Sequence, residues 1–346
     1  MIKVAIILPS LANTGPIIVA QNIVSQLHHE IDFEVFYFDD IRELQFNCPC
    51  TRINFFSPLG LNDFDIIHSH MLRPDCFVWW HKRKLQPKLI TTLHQYIFQN
   101  LYYSYNKFIA TLFSPIWIRL IKAFDKVVCI NSHMASFYKT QLKGKTTFIY
   151  NGVNSKIDST IDAIDLNKIN HLKANYKILG SVAQLTERKG LDQVIKALPH
   201  LPACAYVIVG EGKEKVNLQT LAKTLGVEDR VLFLGYKPNG ASYIHQFDSF
   251  IMPSRSEGFG LSLMEAAACE KPIVCSNIES FKELLSDDEV TFFELENTAS
   301  LQASILGTLD INYNKTKKAL VKLNTFYTDK AMANQYLQLY HNILSQ

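Results

Sequence analysis

The sequence predicts an α/β protein built from two doubly wound parallel sheets. Short β-branched runs alternate with longer helical patterns along the 346 residues, which is typical of parallel strands connected by helices. At about 150 residues per domain this length corresponds to two domains, and the alternation restarts after a polar stretch at residues 155–177. Hydrophobic residues make up 48% and charged residues 19%, a balance that supports large cores and argues against disorder.

The apolar runs place the strands in two groups. In the first half we expect strands at residues 4–8, 34–38, 66–68, 89–92, 126–130 and 147–150. In the second half we expect them at residues 178–182, 205–209, 231–233, 249–252 and 272–275. The sequence therefore predicts a first domain at residues 1–160 and a second at residues 161–327. Helical spacing of the apolar residues Met332, Tyr336, Leu339, Tyr340 and Ile343 predicts a closing helix within residues 328–346.

The charge and the cysteine content limit the functions and compartments that suit this protein. The net charge of +3 is too small to indicate nucleic-acid binding by itself, and we expect no nucleic acid as a partner. Residues 1–160 hold 16 Lys and Arg against 11 Asp and Glu, and the rest hold 19 against 21. The basic excess in the first half suits an anionic partner or a membrane surface, with a plain solvated surface as the alternative. Seven scattered cysteines fit a reducing, cytoplasmic compartment, and no run approaches the roughly 20 apolar residues of a spanning helix.

The segment at residues 253–267 combines glycines, carboxylates and a helix start. It follows a predicted strand and contains Gly258 and Gly260 before a Leu- and Ala-rich helix. Glycines let main-chain amides approach a ligand, and a helix start offers unpaired N–H donors, so the place suits phosphate or sugar oxygens. Glu257 and Glu265 suit the hydroxyls of two sugars, because a carboxylate accepts two hydrogen bonds well. The alternative is a capped helix with exposed glutamates.

Residues 180–192 pass from a predicted strand through a loop into a helix. The loop holds Arg188, Lys189 and Gly190. At the carboxyl end of a parallel sheet, Lys189 is suited to neutralise a diphosphate. The alternative is a helix start with a solvated lysine.

Two features of the first half remain open to more than one interpretation. His68 and His70 alternate on a predicted strand, so their rings share one face. They would need a further ligand to hold a metal, and a core or site-lining role is the more ordinary one. Residues 102–122 mix aromatic and basic side chains. These suit lipid head groups or a lipid-linked acceptor, with a helix packed on the first sheet as the alternative.

Together these segments resemble the retaining glycosyltransferases of the GT-B fold, known as glycosyltransferase group 1 or family 4. The likeness is strongest over residues 180–285, where the family's two glutamates with seven residues between them match Glu257 and Glu265. In the second half it also covers residues 209–212, 229–235, 271–274 and 283–285. In the first half it covers the Gly15 loop and residues 65–70, 91–94, 130–132 and 150–154.

The resemblance implies two Rossmann-like domains facing a cleft, with the C-terminal helix crossing back to the first domain. It implies that the second domain binds a nucleotide sugar and that the first binds the acceptor. On that likeness Glu265 would take the ribose hydroxyls and Glu257 the transferred sugar, while Lys189 would offset the charge of the leaving group. His94 would hydrogen-bond the donor sugar near the reacting carbon.

The remaining donor contacts follow from the same likeness. Main-chain amides at Gly258, Phe259, Gly260 and Leu261 would meet the diphosphate or sugar, and Gly15 would approach the diphosphate. Gln184 stands where the family often has Arg. It supplies a hydrogen-bond donor but no charge, so Lys189 would carry more of the electrostatic stabilisation, with Arg188 in a position to compensate.

The chemistry implied by the resemblance needs neither an enzymatic nucleophile nor a metal. The departing phosphate would accept the proton of the acceptor hydroxyl in a front-face transfer. No Asp-x-Asp pair follows an early strand, since Asp39 and Asp40 are adjacent in a polar loop. We therefore expect a metal-independent hexosyltransferase that has no cofactor and uses a UDP-sugar as co-substrate.

The expected function is transfer of a hexose or N-acetylhexosamine from a UDP-sugar to a glycan or lipid-linked saccharide of the bacterial envelope. We expect the protein to be cytoplasmic, with peripheral contact at the inner face of the cytoplasmic membrane. The alternative is a non-catalytic GT-B partner subunit that binds glycan or a second glycosyltransferase, and Gln184 motivates it.

Overall fold

The structure is a computed structural model that describes residues 1–56, 60–309 and 313–345, with Tyr313 described for its main chain only. The chain divides into two compact units. One is Met1–Val153 with the described part of Phe326–Gln346, and the other is Asn154–Thr325. Each contains one parallel sheet with helices between its strands, which confirms the predicted fold class. Gln346, the last residue of the predicted closing helix, lies outside the described residues.

The sheet of the first unit has seven strands in the described part of the chain. They are β1 (Ile2–Leu8), β2 (Ile31–Tyr37), β3 (Cys50–Arg52), β4 (Ile66–His70), β5 (Lys88–Leu93), β6 (Lys126–Cys129) and β7 (Thr146–Phe148). All pairs are parallel, in the order β3-β2-β1-β4-β5-β6-β7. The helices between them are α1 (Gly15–Leu27), α2 (Leu72–His81), α3 (Ile97–Ser104), α4 (Lys107–Ile121) and α5 (Ser132–Tyr138). The last five residues of β1 are wholly buried, as expected of a central strand covered on both faces.

The sheet of the second unit has six strands among the described residues. They are β8 (Lys177–Val182), β9 (Cys204–Val209), β10 (Val231–Gly235), β11 (Ser249–Met252), β12 (Ile273–Ser276) and β13 (Thr291–Phe293). They pair in parallel in the order β10-β9-β8-β11-β12-β13. The helices of this unit are α6 (Ala163–Lys173), α7 (Leu191–Ala197), α8 (Lys215–Thr224), α9 (Leu261–Ala268), α10 (Glu279–Leu284), α11 (Thr298–Leu309) and α12 (Tyr313–Phe326).

The predicted strand list omits β3 and β13. Each has three residues and lies at a sheet edge, paired with one neighbour. All three residues of β3 are exposed, so no apolar run marks it. Main-chain pairing with β2 forms this strand, and a hydrophobic pattern does not reveal it.

The last helix, α13 (Asp329–Leu344), begins after Thr328, whose hydroxyl accepts a hydrogen bond from the amide of Ala331 at 3.1 Å. Its apolar side chains are buried at the predicted positions, and the helix packs against α1 in the first unit. Val153 forms a parallel bridge with Thr328. Because of this bridge, the chain leaves the first unit after Val153 and not after residue 160, and it returns at Phe326 and not at residue 328.

Candidate active site

The charged loops of the second unit follow β8 and β11, which are neighbours in the sheet. The strand order reverses between them, and in open α/β sheets ligands bind beyond the carboxyl ends of the strands at such a point. Gly190 has φ 65°. A Cβ there would lie 2.1 Å from the carbonyl oxygen of Pro253. Glycine at this position therefore lets the loop after β8 pass directly against the end of β11.

Glu257 lies at the centre of a buried charge cluster. Its side chain is 7% exposed, against 13% for Lys189 and 19% for Arg188. Lys189 Nζ donates to Glu257 Oε1, and Arg188 donates to Oε2 at 3.0 Å. Ser254 Oγ also donates to Oε1, at 3.0 Å. The structure thus brings together three of the predicted site residues, and the alternative of exposed glutamates is wrong for Glu257.

The two cations determine the ionisation of this carboxyl group. Burial raises the pKa of Glu257, but Lys189 and Arg188 lower it by more, to about 2. Glu257 is therefore ionised at neutral pH. With two cations and one carboxylate among its described members, the cluster carries a net positive charge. Lys189 is consequently not the solvated lysine of the alternative interpretation, since it already holds a partner.

The start of α9 provides main-chain donors. The helix begins after Gly260, which has φ 85°, as the sequence indicates. The amides of Leu261 and Ser262 have no hydrogen-bond partner within the described part of the chain. Phe259 is 2% exposed and Gly258 is buried. Unpaired amides at the positive end of a helix form a site for an anion.

Glu265 lies farther along α9 and is partly buried. Burial raises its pKa to about 7, and the positive charge of Lys189 acts in the opposite direction. Near neutral pH this carboxyl group is therefore present in both protonated and ionised forms. It can both donate a hydrogen bond to a hydroxyl group and accept one from it.

Gln184 is separate from the cluster. Its side chain is exposed and makes no hydrogen bond to any described residue. Arg188, and not Gln184, is the second cation that faces Glu257. Arg188 is the residue that the sequence analysis expected to compensate for Gln184, and it lies next to Lys189 in the chain.

An outer ion pair, which the sequence reasoning missed, braces the cluster. Arg255 donates to both carboxylate oxygens of Asp192 at 2.9 Å, and it also pairs with Glu296. Its main-chain amide donates to the carbonyl of Arg188 at 2.8 Å. Ser254 was missed as well. Ser254 and Arg255 both lie in the segment 253–267, which its glycines and carboxylates mark as a candidate site. Their position in that segment is the sequence signal that could have identified them.

In the first unit, Gly15 is the first residue of α1, after the extended Thr14. It follows β1, and the order of this sheet reverses between β1 and β4. Gly15 therefore occupies the same topological place in its unit that Arg188 and Lys189 occupy in theirs.

His94 follows β5 and belongs to a cluster of uncharged histidines. Its Nε2 lies 2.8 Å from Nδ1 of His70, and the two rings stack with centroids 5.1 Å apart. Burial lowers the pKa of His94 and of His68 to about 3, so these rings are neutral at pH 7. His68 and His70 share one face, as predicted, and both are fully buried. The described residues hold no group of three or more His, Cys, Asp or Glu arranged to bind a metal ion.

Comparison with known proteins identifies the family. Residues 162–322 match the family model for glycosyl transferases group 1, and residues 42–156 match that for glycosyltransferase family 4. WclY of Escherichia coli, an O-antigen biosynthesis glycosyltransferase, is 33% identical over 99% of each chain. The chain belongs to the group 1 glycosyltransferases.

Comparison with solved structures identifies the fold of this glycosyltransferase. HepE of Anabaena, in complex with UDP-glucose, has a TM-score of 0.83 at 19% identity, covering 99% of this chain and 100% of that one. Sucrose-phosphate synthase from Thermosynechococcus elongatus has a TM-score of 0.83 at 17% identity, covering 100% of both chains. The glycosyltransferase therefore has the GT-B fold. Within its described residues, no helix is long and apolar enough to cross a membrane.

Proposed function

We propose that this glycosyltransferase transfers a hexose or N-acetylhexosamine from a UDP-sugar, with retention of anomeric configuration, to a saccharide or lipid-linked saccharide of the bacterial envelope. The observation that carries the proposal is the buried, ionised Glu257, which is held by Lys189 and Arg188 and is followed four residues later by the free amides of α9. The O-antigen role named for WclY supports the acceptor class. The UDP-glucose complex of HepE, which has the same fold, supports the donor.

The diphosphate is the group that the second unit is best equipped to bind. Unpaired amides at Leu261 and Ser262 supply neutral donors, and the Lys189–Arg188–Glu257 cluster adds a net positive charge. Preorganised donors and cations of this kind stabilise negative charge as it develops on a leaving group. They would do so without a bound metal, and we propose that the reaction needs neither metal nor cofactor.

In the proposed reaction the bond between the anomeric carbon and the β-phosphate oxygen breaks. The acceptor hydroxyl oxygen forms a new bond to that carbon on the same face. Its proton passes to the departing phosphate oxygen, and UDP is released. The protein positions the two reactants and stabilises charge, and no side chain is covalently modified.

Individual roles follow from the chemistry of each group. Glu257, whose oxygens already hold Lys189, Arg188 and Ser254 in place, would fix these donors and accept a hydroxyl of the transferred sugar. Glu265 would bind the ribose hydroxyls. In the first unit, His94 would hydrogen-bond the transferred sugar, and Gly15 would bring the amides of α1 to the diphosphate.

We also propose that the protein is cytoplasmic and that α4 contacts the inner face of the cytoplasmic membrane. This helix has two apolar sides. One side is buried in the first unit, and the other exposes Phe108, Leu112 and Ile116 at 74%, 50% and 47%. Lys107 and Arg119 belong to the same helix and are exposed. An apolar stripe beside cations matches an anionic lipid surface.

Transfer from a panel of labelled UDP-sugars to acceptor extracts tests the enzymatic proposal. We expect transfer from at least one UDP-sugar, with large losses in Glu257→Ala and Lys189→Ala. Glu279→Ala and Lys282→Ala are matched controls, because they form an exposed pair on another helix. Equal transfer by the wild-type protein and both site variants would rule out the site assignment.

Sedimentation with vesicles of phosphatidylethanolamine and phosphatidylglycerol tests the lipid contact. We expect binding that weakens in Phe108→Ser/Ile116→Ser and stays intact in Val321→Ser, a residue of the second unit that is 65% exposed. Binding that is unchanged in the α4 variant would contradict the contact.

A further inference from the structure

The histidines of the first unit occupy one face of two neighbouring strands. β4 and β5 are parallel, with His70 opposite Thr92. Because side chains alternate along a strand, His68 and His70 share a face of β4 with Thr92 of β5. His94 lies two residues beyond Thr92, just past the carboxyl end of β5. The four side chains form one continuous row that leads from the core to the edge of the sheet.

The inner part of this row is fully hydrogen-bonded. Nδ1 of His68 lies 2.8 Å from the Tyr340 hydroxyl, and its Nε2 lies 2.8 Å from Oγ1 of Thr92. Thr92 Oγ1 is also 3.1 Å from the Tyr336 hydroxyl. Both tyrosines come from α13, so the closing helix holds His68 in place.

His70 differs from His68 in having one partner and not two. Its Nδ1 contacts Nε2 of His94, while its own Nε2 is buried with no partner among the described residues. His94 is partly exposed, and its Nδ1 has no partner within the described chain and is not among the buried unpaired atoms. The free nitrogen of His94 therefore reaches solvent at the end of β5.

The hydrogen bond between the two neutral rings can hold its proton in either of two ways. If His70 Nδ1 donates, Nε2 of His70 is an unprotonated acceptor buried in the core. His94 Nε2 then accepts, so the neutral His94 ring carries its proton on Nδ1. If His94 Nε2 donates, His70 must carry its proton on Nε2, and an N–H group is buried without an acceptor. Buried N–H groups without acceptors are rare in proteins, more so than unpaired acceptors. The first arrangement is favoured.

We propose that His70 is a positioning residue that fixes His94 as its neutral Nδ1–H tautomer, so that His94 presents a hydrogen-bond donor at the carboxyl end of β5. The group it recognises is an oxygen lone pair, as on a sugar hydroxyl. This step rests on the role proposed above for His94. It deepens that role: His94 orients the sugar by donating a hydrogen bond and does not act as a base.

Nitrogen-15 NMR of histidine-labelled protein at pH 7 tests the tautomer directly, with the His94 signals assigned by their loss in His94→Phe. We expect a protonated Nδ1 and an unprotonated Nε2 on His94. His70→Asn should preserve this tautomer, because the side-chain amide can donate to His94 Nε2. His70→Leu should not, because it offers no donor. A protonated Nε2 on His94 in the wild-type protein would overturn the proposal, as would an unchanged tautomer in folded His70→Leu.

Transfer assays supply a second readout. We expect kcat to fall about tenfold in His70→Leu, the equivalent of one hydrogen bond, and to recover within about threefold in His70→Asn. The calorimetric affinity for UDP should stay unchanged in both variants. Equal losses of kcat in the folded Asn and Leu variants would overturn the positioning role. A protonated Nδ1 in a protein whose transfer is insensitive to His94→Ala would support the tautomer and contradict the proposed sugar contact of His94.

Discussion

The two units bury polar groups at the carboxyl ends of their sheets in opposite ways. In the second unit the buried groups are charged, and Glu257 stays ionised because Lys189 and Arg188 face it. In the first unit they are neutral, since burial lowers the pKa of His68 and of His94 to about 3. The carboxylate of the charged cluster comes shortly before unpaired helix amides in the chain, whereas the neutral row is held by hydroxyl groups and neighbouring rings.

This difference is consistent with the roles proposed for the two clusters. Opposing a diphosphate requires charge, and a buried charge persists only when partners compensate its desolvation. Orienting a sugar requires hydrogen bonds of fixed direction, which neutral rings supply without that penalty. Changing each cluster separately tests this difference between the two units.

The largest expected effect is on transfer by Glu257→Ala. Removing this carboxylate leaves Lys189 and Arg188 facing each other without their shared partner and frees both side chains to move. We expect the transfer rate to fall by about 10²–10³-fold, measured with the labelled donor identified in the panel. If the Glu257→Ala variant transferred sugar at the wild-type rate, as the Glu279→Ala control should, the central role of the charged cluster would be contradicted.

The next largest effect is on the stability of the second unit, because Glu257 and Lys189 form an ion pair. We expect Glu257→Ala to lower the free energy of unfolding of the second unit by about 2 kcal/mol, because it leaves two largely buried cations unpaired. Adding Lys189→Ala should restore part of this loss. A double-mutant cycle in urea should therefore give a coupling free energy of about 1–2 kcal/mol. Strictly additive losses would show that the two groups do not interact.

Acid should destabilise the first unit before the second. His68, His70 and His94 have lowered pKa values. The unfolded chain therefore takes up protons below about pH 6.5 that the folded unit does not, and its stability falls between pH 6.5 and 3. Asp75 opposes this trend, because burial raises its pKa to about 6 despite hydrogen bonds that lower it. A single carboxyl group does not offset the histidines.

In the second unit the corresponding losses begin later. The stability supplied by Glu257 is lost only as pH falls from about 4.5 toward 2. Glu265 has a raised pKa of about 7, so it adds stability as pH falls from 7 to 4.5. Trp79, Trp80 and Trp117 all belong to the first unit. Tryptophan fluorescence, which reports on the first unit, should therefore change at a higher pH than far-ultraviolet circular dichroism, which reports on both units. Coincident midpoints would contradict the expected difference in acid stability between the units.

The smallest expected effect comes from Gln184→Arg. The exposed Gln184 side chain makes no hydrogen bond to any described residue, so the new cation would approach a bound diphosphate without breaking a bond of the cluster. We expect UDP to bind about two- to fivefold tighter at low salt, with the gain vanishing at high ionic strength. Calorimetry at two salt concentrations measures it. A gain that persists in high salt would indicate a cause other than charge.

Most of the fold could be predicted from the sequence because parallel strands buried on both faces appear as apolar runs. The short edge strands β3 and β13 could not, since β3 has no buried side chain and β13 buries only Phe293. The site was predicted as a set of residues but not as a cluster. Lys189 and Glu257 are 68 positions apart, and only the adjacency of β8 and β11 joins them. The contact of His70 with His94 likewise depends on the register of β4 and β5, which no local pattern reveals.

The bridge between Val153 and Thr328 has a consequence for how the chain is assembled. Val153 N donates to the carbonyl of Tyr327 at 3.0 Å, and the amide of Asp329 donates to the carbonyl of Val153 at 3.1 Å. These two hydrogen bonds join the segment that leaves the first unit to the segment that returns to it, and we call them the clasp. The second unit is therefore an insertion whose two ends meet at the clasp. Grafting the corresponding unit of a relative between Val153 and Phe326 would leave this clasp intact. The clasp is therefore the natural junction for chimeras that test whether donor specificity resides in the second unit, as proposed.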